Sequence, residues 1–481
     1  ATRITSRIRT TLNVELPLRA LFETPTVAQL AGHISKADTA RATLIGVERP
    51  AEIPLSFAQR RLWFLNRLEG AEASTYNLPI ALRLTGTLDR TALEAALRDV
   101  VERHESLRTT YPESADGTPY QKVFGVDESW SGLEVLDAAE EEVEILVGDM
   151  AGRGFDLIAE APVRTCLLAV DVTSHVLVVV LHHIAGDGWS MAPLARDIAT
   201  AYEARAEGRV PDWEPLPVQY ADYTLWQQTM LGHESDPDSA LTRQITYWTR
   251  TLASLPEQLE LPWDRPRPAN SSYRGDLVSF EWDAELHAGI VTLARQSGAS
   301  VFMVLQAGLA TLLSRLGAGT DIPIGSPIAG RTDEALDDVV GFFVNTLVLR
   351  TDLSGDPTFR ELIERVRETD LAAYANQDVP FERLVEVLNP ARSMSRHPLF
   401  QVSLVLQNNP QAEMTLPGLT LAGQSTRSQA AKFDLSLGIR ESVSADGSPV
   451  GLTGVFEFAT DLFDRSTVDL FVVYLRRLLV G

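Results

Sequence analysis

Residues 176–190 read VLVVVLHHIAGDGWS. The stretch opens with six apolar residues, four of them valine. An unbroken apolar run rich in β-branched side chains is a strand covered on both faces. Gly186 and Gly188 interrupt it, and Leu194, Ile198 and Tyr202 then return at helical spacing. The segment is a strand–loop–helix corner of an α/β fold, and such corners commonly carry chemistry. Successive strand side chains point to opposite faces, so His182 is expected to pack inward while His183 looks the other way. By itself a histidine pair at a strand end is more simply a satisfied core pair. Its company decides.

Outward from this corner the pattern stays mixed. Leu82 and Leu84 alternate as in a short strand, and Asp89 caps a helix with Leu93, Leu97, Val100 and Val101 on one face. Residues 302–316 form a long apolar helix, and residues 400–406 and 454–458 read as strands. After the last of these come Ala459, Thr460 and Asp461, then a helix through Leu470, Val473, Leu475 and Leu478. This second strand–loop–Asp–helix corner echoes the first without its histidines. The echo predicts two related lobes with one reaction centre between them. The glycine-rich residues 317–330 lack Gly-Lys-Ser/Thr and begin at a helix end, so they read as a helix stop and turn. CxxC, HExxH and EF-hand spacings are missing, so no metal site is expected.

Ahead of the mixed region, Ile4, Ile8 and Leu12, then Leu18, Leu21 and Phe22, then Val27, Leu30, Ala31 and Ile34 fall at helical spacing. Pro17 and Pro25 divide them into three helices, and Thr26 suits the last as N-cap. Three such helices make a poor core alone. Residues 38–53 show no periodicity and read as a linker.

The 481 residues suggest two to four folding units at about 100–200 residues each. A net charge of -23 repels a phosphate backbone, so nucleic acid is not an expected partner. The single cysteine, Cys166, permits no intramolecular disulfide and sits among apolar neighbours as a buried strand residue. No apolar run is read as reaching the roughly 18–20 residues that span a bilayer, and ATRITSRIRT lacks a signal core. A cytoplasmic protein with no membrane partner is expected.

From Ser56 onward seven stretches follow in order: 56–65 (SFAQRRLWFL), 103–109 (RHESLRT), 182–190 (HHIAGDGWS), 220–226 (YADYTLW), 340–350 (VGFFVNTLVLR), 376–382 (NQDVPFE) and 392–399 (RSMSRHPL). Together they resemble the motif series of condensation domains of nonribosomal peptide synthetases, over residues 54–481. Their wording is most like the subtype that joins an L-configured donor to an L acceptor. The resemblance implies an α/β fold of two chloramphenicol-acetyltransferase-like lobes in a V-shaped pseudodimer with a tunnel between them. The N-lobe would span 54–225 and the C-lobe 226–481. Residues 1–37 resemble the latter part of a peptidyl carrier protein, a small all-α fragment, with 38–53 as linker. The serine bearing 4'-phosphopantetheine would then precede Ala1, leaving no cofactor-binding residue in this chain. Upstream and downstream carrier proteins and a neighbouring adenylation domain are the implied partners.

The resemblance also assigns roles. His183 points into the tunnel as the catalytic residue, with His182 beside it. Asp187 is structural and pairs with Arg331 of the other lobe. Asn345 lines the tunnel near its centre. Gly188 allows close backbone approach at a helix start, where N–H groups could meet an oxyanion. The implied reaction is attack of a carrier-bound amine on a carrier-bound thioester. With an amine pKa of about 7.7–8.0 and a thiol of about 8.5, the nucleophile needs little activation. Holding the two arms end to end matters more, since effective molarity can reach about 10⁵–10⁸ M. An imidazole of pKa about 6.5 could accept the amine proton or position the nitrogen. Four rivals stand beside this reading. In Gly188-Trp189-Ser190-Met191-Ala192, an alanine stands where a serine-hydrolase elbow has its last glycine. An epimerisation domain and a non-catalytic recruitment module share the fold. Heterocyclisation relatives carry aspartates where these histidines stand.

Overall fold

The computed structural model describes residues 2–24, 26–70, 72–391, 393–407, 414–424 and 430–481. Pro25, read as a helix breaker, Arg392, which opens the seventh motif, and Ala1 lie outside the described residues.

Two sheets carry the architecture. The first runs Leu419–Gly423, Asn77–Gly86, Ser174–His182, Val163–Ala169, Glu134–Asp137. The second runs Gly275–Trp282, Pro449–Ala459, Leu435–Val443, Val402–Leu406, Asp321–Ile328, Asn345–Asp352. The pairing repeats between them. Asn77–Gly86 is antiparallel to Ser174–His182, which is antiparallel to Val163–Ala169, which is parallel to Glu134–Asp137. Gly275–Trp282 stands in the same relation to Pro449–Ala459, Leu435–Val443 and Val402–Leu406. The echo between the two corners is thus a duplicated topology, and the two-lobed α/β expectation holds.

Each lobe has its own core. Leu177, Val178 and Leu181 share one core with Leu93, Leu97, Leu194 and Ile198 of the helices Arg90–Arg103 and Met191–Ala206. Asp89 caps the first helix, accepting from the Ala92 N–H at 2.9 Å. Cys166 lies wholly buried in its strand, where burial pushes the thiol pKa up to about 12, away from nucleophilic use. In the second lobe the helix Val301–Leu313 runs through the core. Together with residues up to Ala318 it is long and apolar enough to cross a membrane. This departs from the reading that no apolar run is long enough. Met303, Leu305, Leu309 and Leu313 have no exposed surface, so its apolar residues are spent on the lobe's interior. The glycine-rich stretch beyond it is a helix stop and turn only as far as Gly319, and then becomes the strand Asp321–Ile328.

Three features depart from the expected division. Leu419–Gly423 follows most of the second lobe in sequence, yet it extends the first lobe's sheet by pairing with Asn77–Gly86. The helix Tyr220–Leu231 runs unbroken across the expected boundary at 225/226. Residues 38–53 are strapped down. Asp38–Thr39 pairs with Val14–Glu15, and Leu44 is buried among Val218, Tyr223 and Trp226. Trp226 donates its indole N–H to the Ala42 carbonyl at 2.7 Å. Arg49 grips Asp222 through Nε and Nη2 at 2.8 and 2.9 Å and reaches Glu105 at 2.6 Å. Single anchors spaced irregularly leave no period in a sequence, so the strap reads as a linker. Arg49→Ala leaves the buried Asp222 carboxylate short of its bidentate partner. It should lower unfolding free energy by about 1–3 kcal/mol in urea titration; an unchanged midpoint would show the strap is incidental.

Candidate active site

The strand Ser174–His182 ends by turning its two histidines apart. His182 is 1% exposed and sits near the rings of Tyr76 and Phe155. Its Nδ1 accepts from the Ile184 N–H at 3.1 Å. Burial, reinforced by His183 and Lys432, presses its pKa down to about 3, so it is a neutral packing group. His183 is fixed differently. Its backbone N–H donates to the Tyr76 carbonyl at 2.8 Å, and its Nδ1 lies 2.8 Å from the Gly186 carbonyl. A carbonyl only accepts, so Nδ1 carries the proton and Nε2 keeps its lone pair. No described residue bonds Nε2. The ring meets Phe342 edge-on at 4.8 Å and lines a cavity of about 1510 Å³, open solvent included. Burial, then the nearby Lys432, lower the His183 pKa to about 4.

That cavity lies between the lobes. Tyr76 and His183 face it from the first; Phe342, Val344, Thr346 and Lys432 face it from the second. It adjoins a cleft of about 2690 Å³ through the shared walls of Arg61, Glu382, Arg396 and His397. His183 therefore lines an open space rather than packed core.

Asp187 and Arg331 meet as expected, but loosely, at 3.5 Å. The tighter work passes through Ser190, which sequence reasoning considered only as a rival nucleophile. Its hydroxyl donates to Asp187 Oδ1 at 2.9 Å, lies 2.9 Å from the Gly341 carbonyl, and receives the Gly341 N–H at 3.1 Å and Arg331 Nη2 at 3.0 Å. Asp187 Oδ2 accepts the Phe343 N–H at 2.9 Å, across the lobe boundary. Arg331 also bonds the carbonyls of Leu336 and Val339 and lies 4.4 Å over the Phe343 ring. No histidine among the described residues bonds the Ser190 hydroxyl, which is taken up by Asp187, Gly341 and Arg331, so the serine-hydrolase rival has no triad geometry. The signal for its role was in the spacing. Asp187 and Ser190 stand three apart, the spacing of a capping box, and each caps the other across one turn.

The same segment is held by more first-lobe side chains. Ser106 donates to the Val340 carbonyl at 2.7 Å, His104 Nδ1 receives the Val340 N–H at 3.4 Å, and the Tyr220 hydroxyl donates to the Phe342 carbonyl at 2.7 Å. Gly341 is required here: a Cβ on it would stand 2.2 Å from the Tyr220 ring.

Asn345 lines a pocket of about 530 Å³, open solvent included, that adjoins the His183 cavity through the shared walls of Phe342 and Val344. Its amide donates to the Gln377 and Val379 carbonyls at 2.8 and 2.9 Å and accepts from the Thr346 and Phe381 N–H groups. Phe342, Val344 and Thr346 face the His183 cavity, while Asn345 faces the adjoining pocket. One expectation needs correction. Gly188 is exposed, and a Cβ there would meet open space, so no close approach requires a glycine.

Residues 50–480 match the family described as the condensation domain. The chain belongs to it. Residues 1–34 match the phosphopantetheine attachment site family, in agreement with a 4'-phosphopantetheine arm on the carrier. The whole chain is 54% identical over 479 residues to a dimodular nonribosomal peptide synthase of Bacillus subtilis (strain 168) and spans 20% of it. It is 55% identical over 480 residues to the probable non-canonical nonribosomal peptide synthetase CymA of Salinispora arenicola (strain CNS-205), spanning 6%. It is thus a condensation domain of the nonribosomal peptide synthetase type. Among solved structures, the X-domain in complex with OxyB from teicoplanin biosynthesis is 38% identical. It superposes with a TM-score of 0.84, over 92% of this chain and 96% of that one. The first condensation domain of the calcium-dependent antibiotic synthetase, with a substrate analogue, shares the fold at a TM-score of 0.70 and 20% identity over 90% of this chain and 98% of that one.

Two outcomes follow from this geometry. Ser190→Ala removes the knot between lobes and should cost about 2–3 kcal/mol in urea unfolding. Unchanged stability would show that the knot is not structural. Acid should also weaken the fold. His182 and His397 have folded pKa values of about 3 and His183 of about 4, all lowered mainly by burial. The native form is neutral, while the unfolded chain binds protons below about 6.5. Stability is therefore complete above that value. Below it, down to the folded values, each imidazole costs up to about 1.4 kcal/mol per pH unit. Urea midpoints that stay level between pH ~7.5 and ~5 would contradict this.

Proposed function

We propose that the chain joins two carrier-bound substrates by an amide bond, with His183 orienting the attacking amine. The observation that carries this is the Nε2 lone pair of His183, unbonded by any described residue, in a cavity shared by both lobes. The acceptor's amine nitrogen attacks the donor's thioester carbon. A C–N bond forms, the C–S bond breaks, and the thiol leaves with the proton the amine gives up. An imidazole of pKa about 4 is a weak proton sink beside an amine of about 7.7–8.0. It is a good hydrogen-bond acceptor, because it stays neutral. The reading therefore favours positioning over base catalysis.

The substrates' 4'-phosphopantetheine arms suit the adjoining cleft. Arg60, Arg61, Arg383 and Arg396 stand in its wall, and Arg60 has no ion-pair partner among the described residues, so a phosphodiester meets cations there. The partners follow: an upstream carrier continuous with residues 1–37, a downstream carrier, and an adenylation domain to load it, in the cytoplasm. We place the strap at 38–53, the N-lobe from 54 to about the end of the helix Tyr220–Leu231, and the C-lobe beyond, less its strand Leu419–Gly423.

The likeness to the X-domain in complex with OxyB favours a second reading, a docking module without chemistry. Carriers loaded with aminoacyl groups and mixed with the chain separate the two by intact mass. A dipeptidyl carrier supports condensation, and loaded carriers that only bind support docking. His183→Ala should lower turnover about 10²-fold, at the weak end for a proton-transfer group, with its thermal midpoint intact. Wild-type turnover in that variant would remove His183 from the reaction.

A further inference from the structure

We propose that Lys432 supplies the positive charge that meets the carbonyl oxygen of the donor thioester as it becomes an oxyanion. This rests on the acyl-transfer reading above. Lys432 lines the same cavity as His183. Tyr76 connects them: its carbonyl holds the His183 N–H at 2.8 Å, and its ring lies 5.0 Å beneath the Lys432 ammonium.

What distinguishes Lys432 is the want of a partner. The other cations of the cavity wall are engaged. Arg61 reaches Glu382 at 3.5 Å, Arg396 reaches Glu257 at 3.1 Å, and Arg267 is paired with Asp434. Among the described residues no carboxylate lies within ion-pair distance of Lys432. Its side chain is exposed, opening into the cavity. Glu69 and Glu457 act on it only at longer range, and the protein around it presses its pKa below the usual lysine value.

Its backbone is rigidly held on both sides. The Ala431 N–H donates to the Tyr273 carbonyl at 2.9 Å and the Asp434 N–H to the Gln401 carbonyl at 3.0 Å. Phe433 packs on His397 and Phe400 at 4.9 and 5.2 Å. A cation already held in place meets a developing charge without the reorganisation that water would need. As the amine attacks, the carbonyl π pair moves to oxygen, and an N–H of Lys432 donates to it. As the C–S bond breaks the pair returns, so Lys432 ends protonated as it began.

The test compares the wild-type chain, Lys432→Met and Lys432→Arg on the same loaded carriers, with donors that do and do not carry an acidic side chain. Lys432→Met should lower kcat about 10²-fold with KM within about twofold, for both donors. Lys432→Arg should recover at least about tenfold of that loss, and thermal midpoints should agree. An unchanged kcat overturns the proposal, as does a loss confined to KM or to acidic donors, which would make Lys432 a side-chain anchor. A wild-type chain that forms no product overturns the acyl-transfer reading and this one together. Product from the wild type with equal kcat in Lys432→Met overturns this one alone.

Discussion

Residues 340–343 join the two halves of the molecule, and the rest of the site depends on how they are held. Their backbone groups are not paired within a sheet. They are taken up by side chains of the first lobe: His104 and Ser106 on Val340, Ser190 on Gly341, Tyr220 on Phe342, Asp187 on Phe343. Buried peptide groups without partners would cost several kcal/mol in total. The junction is therefore a matter of satisfaction rather than of hydrophobic contact alone. Gly341 permits it by admitting the Tyr220 ring. Once those residues are fixed, Phe342 and Val344 face the cavity as the chain enters the strand Asn345–Asp352, whose Thr346 continues the same wall.

The clamp also sets the electrostatics. It brings Phe342 against His183 and closes apolar walls around an imidazole that has one hydrogen bond to a backbone carbonyl. Such surroundings penalise charge, so the ring stays neutral and offers a lone pair. Strong base catalysis would want a higher pKa near the working pH. The reaction does not demand one, because its nucleophile and leaving group are already close to reactive at neutral pH. Geometry and exclusion of water are what the fold is built to provide.

Much of this was legible before any coordinates. The apolar run at 176–181 and the return of a helical period after Gly188 located the corner, and the second corner at 459–461 located the duplication. Period-two logic separated His182 from His183 correctly. Most of the misreadings share one cause: they concerned contacts between distant segments. Nothing local marks the strand Leu419–Gly423 as belonging to the first lobe's sheet, since edge pairing is chosen by tertiary proximity. Nothing local to Asn345 tells that its amide holds the loop that carries Phe381. Ser190 is a plain helix-start serine until Gly341 arrives from the other lobe. Lys432 is an ordinary lysine between Ala431 and Phe433 until the fold turns it to the cavity.

The duplicated corners show how one architecture yields a single reaction centre. The first corner ends in His183 and the second in Asp461, and both reach the wall of the same cavity. Asp461 accepts from the Ser272 backbone N–H and hydroxyl, both at 2.8 Å, so its carboxylate is consumed in holding a loop. His183 spends only Nδ1 on its own corner and leaves Nε2 free. The two corners thus diverge through hydrogen-bond stoichiometry: a group whose polar atoms are all matched builds the wall, and a group with one atom left over can meet a substrate. By that criterion the roles proposed for His183 and Lys432 fall to groups that keep a polar atom without a partner among the described residues.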